Sequence, residues 1–265
     1  MLLALKQVTK VFNEGTIDEK VALQSINLTL APGDFVTIIG SNGAGKSTMM
    51  NIISGRLFPD AGSVWINGKD VTPLREHERA RYIGRVFQDP LAGTAPNMTI
   101  EENLALAYNR TKRRTLTFGV TKKRRDFFRE ALETLHLGLE NRLTAKVGLL
   151  SGGERQALSL LMATFTKPDL LLLDEHTAAL DPARAELITE LTKEIVEKYK
   201  LTTLMVTHNM EQALRLGNRL IMMDQGQIIF EASGNEKQSL TVERLLQEFQ
   251  RIRGSQFASD RAVLG

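Results

Sequence analysis

The sequence predicts an α/β fold with a mixed sheet, antiparallel in its N-terminal part and parallel further on, and an inserted helical subdomain. Three observations predict it. Short strands separated by turn residues occupy the chain up to Gly68, apolar residues at helical spacing dominate after Gln88, and strand, helix and strand follow one another from Leu170.

Ala4–Phe12 and Val21–Leu30 read as strands, and the turn Ala31-Pro32-Gly33-Asp34 leads into the apolar strand Phe35–Ile39. Asn67-Gly68, between Ser63–Ile66 and Lys69–Val71, is a hairpin signal because both residues tolerate positive φ. Helices are expected at Ile100–Asn109, Lys122–Leu137 and Glu154–Thr166, where apolar residues recur at helical spacing. Leu170–Leu173 and Thr203–Thr207 read as buried strands joined by the helix Pro182–Lys198, an order that implies a parallel pair. Leu220–Glu231 should form a last hairpin about Asp224-Gln225-Gly226, and an amphipathic helix at Thr241–Arg251 precedes a tail. A single domain, 1–265, is thereby divided into a catalytic core at 1–88 and 168–234, a helical subdomain at 89–167, and a C-terminal helix and tail at 235–265.

Composition narrows the classes. With 42% hydrophobic and 25% charged residues the chain is globular, and a net charge of +3 provides no basic field for a polyanionic partner, so no nucleic acid is expected. The absence of cysteine excludes disulfide scaffolds, thiolate metal sites and cysteine nucleophiles. Met1–Leu5 is too short for a signal-peptide core before Lys6, and no stretch has the length of a membrane span, so a cytoplasmic chain is expected.

Gly40-Ser41-Asn42-Gly43-Ala44-Gly45-Lys46-Ser47 fits the phosphate-loop pattern G-x-x-x-x-G-K-S, directly after an expected strand and before a helix that Thr48 opens. Glycines let consecutive N–H groups face a triphosphate, the helix N-terminus adds its dipole, and Lys46 brings a cation. Ser47 can hold Mg2+ through its hydroxyl. A chance glycine turn would not come with the strand and helix on its flanks. The acidic partner such a loop needs stands at the end of Leu170-Leu171-Leu172-Leu173-Asp174-Glu175. Asp174 would hold Mg2+ through water, and Glu175 would polarise the attacking water as general base. An acidic pair that merely caps the next turn is the alternative, and the phosphate loop argues against it.

Leu150-Ser151-Gly152-Gly153-Glu154-Arg155-Gln156 closely resembles the signature sequence of ABC ATPases. Physically it is a second anion site, a serine hydroxyl and two glycine amides before a helix beginning near Glu154. The resemblance extends from about Leu3 to Gly234. It implies a phosphate-loop NTPase core that hydrolyses ATP with Mg2+, in a head-to-tail homodimer where each ATP lies between one subunit's phosphate loop and the other's Ser151, Gly152 and Gly153. It further implies that Phe12 stacks on adenine, that Gln88 reaches Mg2+ and the attacking water, and that Ala179-Leu180-Asp181 crosses the dimer interface. His208 matches the histidine that contacts the γ-phosphate. The string from Asp174 to Pro182 also looks like a bacterial importer subgroup. On that likeness the partners are an integral membrane permease, received near Gln88–Asn97, and a solute-binding protein. The chain would then sit on the cytoplasmic face of the membrane and energise uptake of a small solute such as an amino acid.

Two positions depart from the family pattern. His176 replaces a common proline, and Glu154 replaces the usual signature glutamine; a structural role is expected for the first, and the second should point away from the γ-phosphate. Arg110, Lys112, Arg113, Arg114, Lys122, Lys123, Arg124 and Arg125 form a basic run, expected as a solvated face or a contact with anionic lipid or permease. A soluble ABC-type mechanoenzyme acting on ribosome or nucleic acid is the competing class. Paired ATPase halves or long heptads would favour it, and neither is present. A non-hydrolysing scaffold is opposed by Glu175 and His208.

Overall fold

The structure is a computed structural model that describes residues 1–111 and 119–251. Lys112, Arg113 and Arg114 of the basic run, and the tail from 252, lie outside the described residues.

Among the described residues ten strands form two sheets. In chain order they are β1 (Leu3–Phe12), β2 (Lys20–Leu30), β3 (Phe35–Gly40), β4 (Ala61–Ile66), β5 (Lys69–Asp70), β6 (Ile83–Val86), β7 (Leu170–Asp174), β8 (Thr202–Val206), β9 (Arg219–Asp224) and β10 (Gln227–Ser233). The N-terminal sheet is antiparallel in the order β2-β1-β4-β5, and the second runs β10-β9-β3-β8-β7-β6. Within the second, β9, β3, β8, β7 and β6 are parallel, and only the edge strand β10 is antiparallel. The named helices that accompany them are α1 (Lys46–Ser54), α2 (Glu76–Arg79), α3 (Ile100–Asn109), α4 (Lys122–Glu133), α5 (Gly152–Thr164), α6 (Pro182–Tyr199), α7 (Met210–Arg215) and α8 (Gly234–Gln238). Residues 242–251 are also helical.

The four leucines of β7 show how the layers are built. Leu170 and Leu172 join a buried cluster with Val8, Leu28 and Val64 of the antiparallel sheet and Met49 and Ile53 of α1. Leu171 and Leu173 point the other way, into a cluster with Leu158 of α5, Ile188 and Leu191 of α6, and Leu104 of α3. Alternation along one strand thus joins two cores, and α1 is held between the sheets with Met49, Met50, Ile52 and Ile53 fully buried. A third cluster ties α7 and the β9–β10 hairpin to Leu240 and Leu245.

Several boundaries differ from expectation. The helix expected to reach Leu137 stops at Glu133, because His136 at φ 54° and Gly138 at φ 71° are left-handed and end it. The signature helix starts two residues early, at Gly152. Helices α2, α7 and α8 were not anticipated; at four to six residues they are too short to show a period. The basic run is only partly a solvated face. Arg125 donates to both oxygens of Glu101 at 2.6 and 2.9 Å, and the half-buried Arg110 donates to Thr166 at 2.9 Å.

Candidate functional site

The phosphate loop lies between the C-terminal end of β3 and α1. Gly45, at φ 97°, is the N-cap of α1 and makes no side-chain cap, which leaves the helix's first N–H groups directed at the loop's concavity. A side chain there would stand 2.5 Å from the Ala22 carbonyl, so the close approach of β2 as well as the backbone angle requires glycine. The loop is braced from behind by the β9–β10 turn, where Ser41 donates to Asp224 at 2.6 Å and the Gly226 N–H donates to Ala44 at 3.1 Å. Lys46 is 5% exposed, and its ammonium donates to the carbonyls of Gly40 and Ser41 at 2.8 and 2.9 Å. Burial pushes this ammonium below its ordinary pKa, against the opposing pull of the Glu175 and Asp174 carboxylates.

A pocket of about 180 Å³ is lined by Phe12, Lys20, Ala22, residues 42–48 and Glu175. The structure therefore brings Phe12, Asn42, Gly43, Ala44, Gly45, Lys46, Ser47, Thr48 and Glu175 together, with Gly40 and Ser41 immediately behind. Lys20 was not read from the sequence. It sits across the β1–β2 ladder from Phe12, and its ammonium is 3.6 Å from where a side chain on Gly43 would begin.

Asp174 and Glu175 leave the end of β7 in different directions. The Asp174 carboxylate accepts from Arg85 at 3.0 Å. Glu175 adopts φ 48°, a left-handed angle that costs a non-glycine residue energy and turns its side chain toward the loop. Its Oε1 lies 2.6 Å from Nε2 of His208, which follows β8, the strand beside β7. Gln88 stands exposed two residues beyond β6 and does not line the pocket. Among the described residues no three His, Asp and Glu side chains converge on one point. The oxygen donors at hand, the Ser47 hydroxyl and the Asp174 carboxylate, suit Mg2+, which keeps few protein ligands and completes its shell with phosphate and water.

The signature lies elsewhere on the chain. Ser151 caps α5 by accepting from the Glu154 N–H at 3.3 Å, and Glu154 folds back to accept from the Ser151 N–H at 2.7 Å and from Arg142 at 2.7 Å. Burial raises the Glu154 pKa, but the Ser151 and Arg142 contacts outweigh it and hold the carboxyl below its ordinary value. Gly153 packs against Arg184, with 3.1 Å left for any side chain there. Asp181 caps α6 by accepting from the Arg184 N–H at 3.1 Å, so the starts of α5 and α6 form one surface. His176 is 1% exposed and bonded to Thr192 at 3.0 Å, turned into α6 and away from the pocket.

A buried lysine at a helix N-terminus, opposite two carboxylates from a parallel strand of the same sheet, is the arrangement of a phosphate-loop ATPase. Residues 23–178 match the ABC transporter family. Over 249 residues the chain is 43% identical to a tyrosine transport ATP-binding protein of Clostridioides difficile, covering 94% of this chain and 99% of that one. It is 36% identical to a methionine import ATP-binding protein of Enterococcus faecalis, over 87% of this chain and 64% of that one. Among solved structures, a dimeric ATP-binding cassette in a post-hydrolysis state with ADP and Pi superposes at a TM-score of 0.75, with 32% identity over 88% of this chain and 98% of that one. The chain belongs to the ABC transporter family, as an ATP-binding and ATP-hydrolysing subunit that energises transport.

Proposed function

We propose that two copies of this chain close head to tail over two ATP molecules, and that this closure drives a membrane permease through the transport of a small solute. One observation carries the reading. The pocket around the phosphate loop, at about 180 Å³, is smaller than the roughly 300–1,000 Å³ of complete ligand sites, whereas a second helix N-terminus suited to an anion, at Ser151, Gly152 and Gly153, lies outside it. Two half-sites on one chain become two whole sites in a symmetric pair. The dimeric state of the similar cassette bound to ADP and Pi supports a pair.

Each residue then has a task. Phe12 stacks on adenine, the N–H groups of residues 42–48 and Lys46 hold the phosphates, and Glu175 takes the proton of the attacking water. His208 holds Glu175 until a nucleotide arrives and then turns to the γ-phosphate. Ser47 and Asp174, with Gln88, would hold Mg2+, which would supply positive charge against that of the phosphates. Asp181 lies at the dimer seam beside the signature. Attraction through two shared ATP molecules closes the pair, and loss of phosphate releases it.

The permease docks in the groove between the core and the helical subdomain, 89–167, which acts as a lever. This groove of about 1110 Å³ has Leu106 at 57% exposure, Met98 and Phe87 in its wall, a surface suited to an amphipathic helix. Among the described residues no helix is long and apolar enough to cross a membrane, so attachment to the cytoplasmic face would be peripheral, through the permease. Uptake of an amino acid fits the relatives named for tyrosine transport and methionine import, and a solute-binding protein would deliver it.

Size-exclusion chromatography of Glu175→Gln with Mg-ATP tests the closure. A dimer with ATP, a monomer with ADP, and loss of the dimer in Glu175→Gln/Ser151→Arg with nucleotide binding intact are expected. A monomer under all conditions would refute the shared-site reading.

A further inference from the structure

Arg85 touches the nucleotide side of the molecule without belonging to any motif. It projects from β6, three residues before Gln88, and its side chain is only 9% exposed. One nitrogen, Nη2, donates both to Asp174 at 3.0 Å and to Asn51 of α1 at 2.9 Å. The other, Nη1, donates to Ser54 at 3.1 Å and faces Glu76 across 3.9 Å. The Phe87 ring lies 4.7 Å from the guanidinium carbon and covers its face. A planar guanidinium pinned on three sides fixes whatever it binds, in a way a flexible ammonium does not.

We propose that Arg85 is a positioning residue for Asp174, setting the direction of the carboxylate that the phosphate site offers to Mg2+. This rests on the reading of Asp174 given above. Arg85 engages one carboxylate oxygen, Oδ2, and not Oδ1. Through Asn51 the same nitrogen ties that carboxylate to the helix carrying Lys46 and Ser47, so loop and acid keep their spacing as one unit. Outer partners of this kind orient metal-binding carboxylates, and losing them weakens metal affinity by about 10- to 100-fold. Arg85 also lines the groove with Glu76, Ser54 and Phe87, so a helix seated there would touch the residue that holds Asp174.

The test is a titration of the purified subunit with a fluorescent ATP analogue, first in EDTA and then across a Mg2+ series. In Arg85→Gln, binding in EDTA should stay within twofold of the unaltered protein, while the Mg2+ concentration for half-maximal tightening rises about tenfold. Arg85→Lys should recover part of that shift, and Asn51→Ala should move it the same way by two- to threefold. Glu76→Gln should leave it unchanged, since that carboxylate is 3.9 Å away and half exposed. If Arg85→Gln does not fold, as thermal melting would reveal, Asn51→Ala and Arg85→Lys carry the same expectation. An unshifted Mg2+ midpoint in folded Arg85→Gln, or in both of those variants, overturns the proposal. Asp174→Asn separates the two levels: if it too leaves Mg2+ dependence unchanged, the role of Asp174 is what fails.

Discussion

Glu175 and His208 meet at 2.6 Å, each just beyond the end of one of two neighbouring parallel strands, with Glu175 held at φ 48°. The pairing fixes a carboxylate that must be ready for a water molecule, and the strained backbone is where the chain departs from its strand to do so. Substituting Glu175 by Gln preserves shape and removes the base, so turnover should fall about 10²- to 10⁴-fold with ATP affinity kept. His208→Ala removes the group that orients the base, and a loss of about 10²-fold in kcat is expected, larger than any change in KM. Steady-state phosphate release together with equilibrium nucleotide binding checks both. Unchanged kcat in Glu175→Gln would rule out the general-base role.

Arg79 supports the same site from the far end of α1. Its side chain is fully buried, and it donates to the carbonyls of Ile52, Ile53, Thr72 and Leu74 at 2.7 to 2.9 Å. Burial pushes its pKa down to about 10, which still leaves it charged at neutral pH, favourably placed at a helix C-terminus. Arg79→Met would leave these carbonyls without their partner in a dry interior, at a cost of about 3 kcal/mol or more. A fall in Tm of about 10 °C is expected, with weaker nucleotide binding because α1 carries the loop. A variant that melts within 2 °C of the original would count against the capping role.

His176 gives the fold an acid-sensitive point. It is fully buried, and desolvation lowers its pKa to about 4 from the ordinary 6.5. Between those values the unfolded chain binds a proton that the native chain does not, so stability decreases as pH falls from 6.5 toward 4, by about 3 kcal/mol in total. His176→Asn should flatten this limb of a plot of Tm against pH from 7 to 4.5. An unchanged slope would place the acid sensitivity in other groups.

How much of this was legible depended on sequence distance. The phosphate loop, the acidic pair and the signature each lie within a few consecutive residues, where spacing alone carries the chemistry. Phe12 and His208 needed the family resemblance, because a single aromatic or histidine in a strand region has no local signal. Arg79, Arg85 and Lys20 left no trace in the sequence. Each has a partner far along the chain, Ile52 at 27 residues from Arg79, Asp174 at 89 from Arg85 and Gly43 at about 23 from Lys20, and an arginine among polar neighbours looks the same whether it is solvated or capping a helix. The run-on of the helix past Glu133 has a similar cause, since apolar periodicity continues through Leu135 while the left-handed turn at His136 is invisible to it.

Lys20 supplies a last prediction. It lines the pocket opposite Phe12, exposed, and its ammonium is directed at the glycine edge of the phosphate loop. A cation there adds attraction for any bound polyphosphate without touching the reacting water, so it acts on affinity and leaves the chemical step alone. In Lys20→Met, affinity for both ATP and ADP should fall by about fivefold at low ionic strength, with kcat unchanged. Because the site is open to solvent, the difference should shrink in 1 M salt, where the screening length is only about 3 Å. Fluorescence titrations at the two salt concentrations decide it: an equal loss at both would mean that Lys20 acts through packing against Phe12, and no loss at low salt would mean that its charge does not reach the nucleotide.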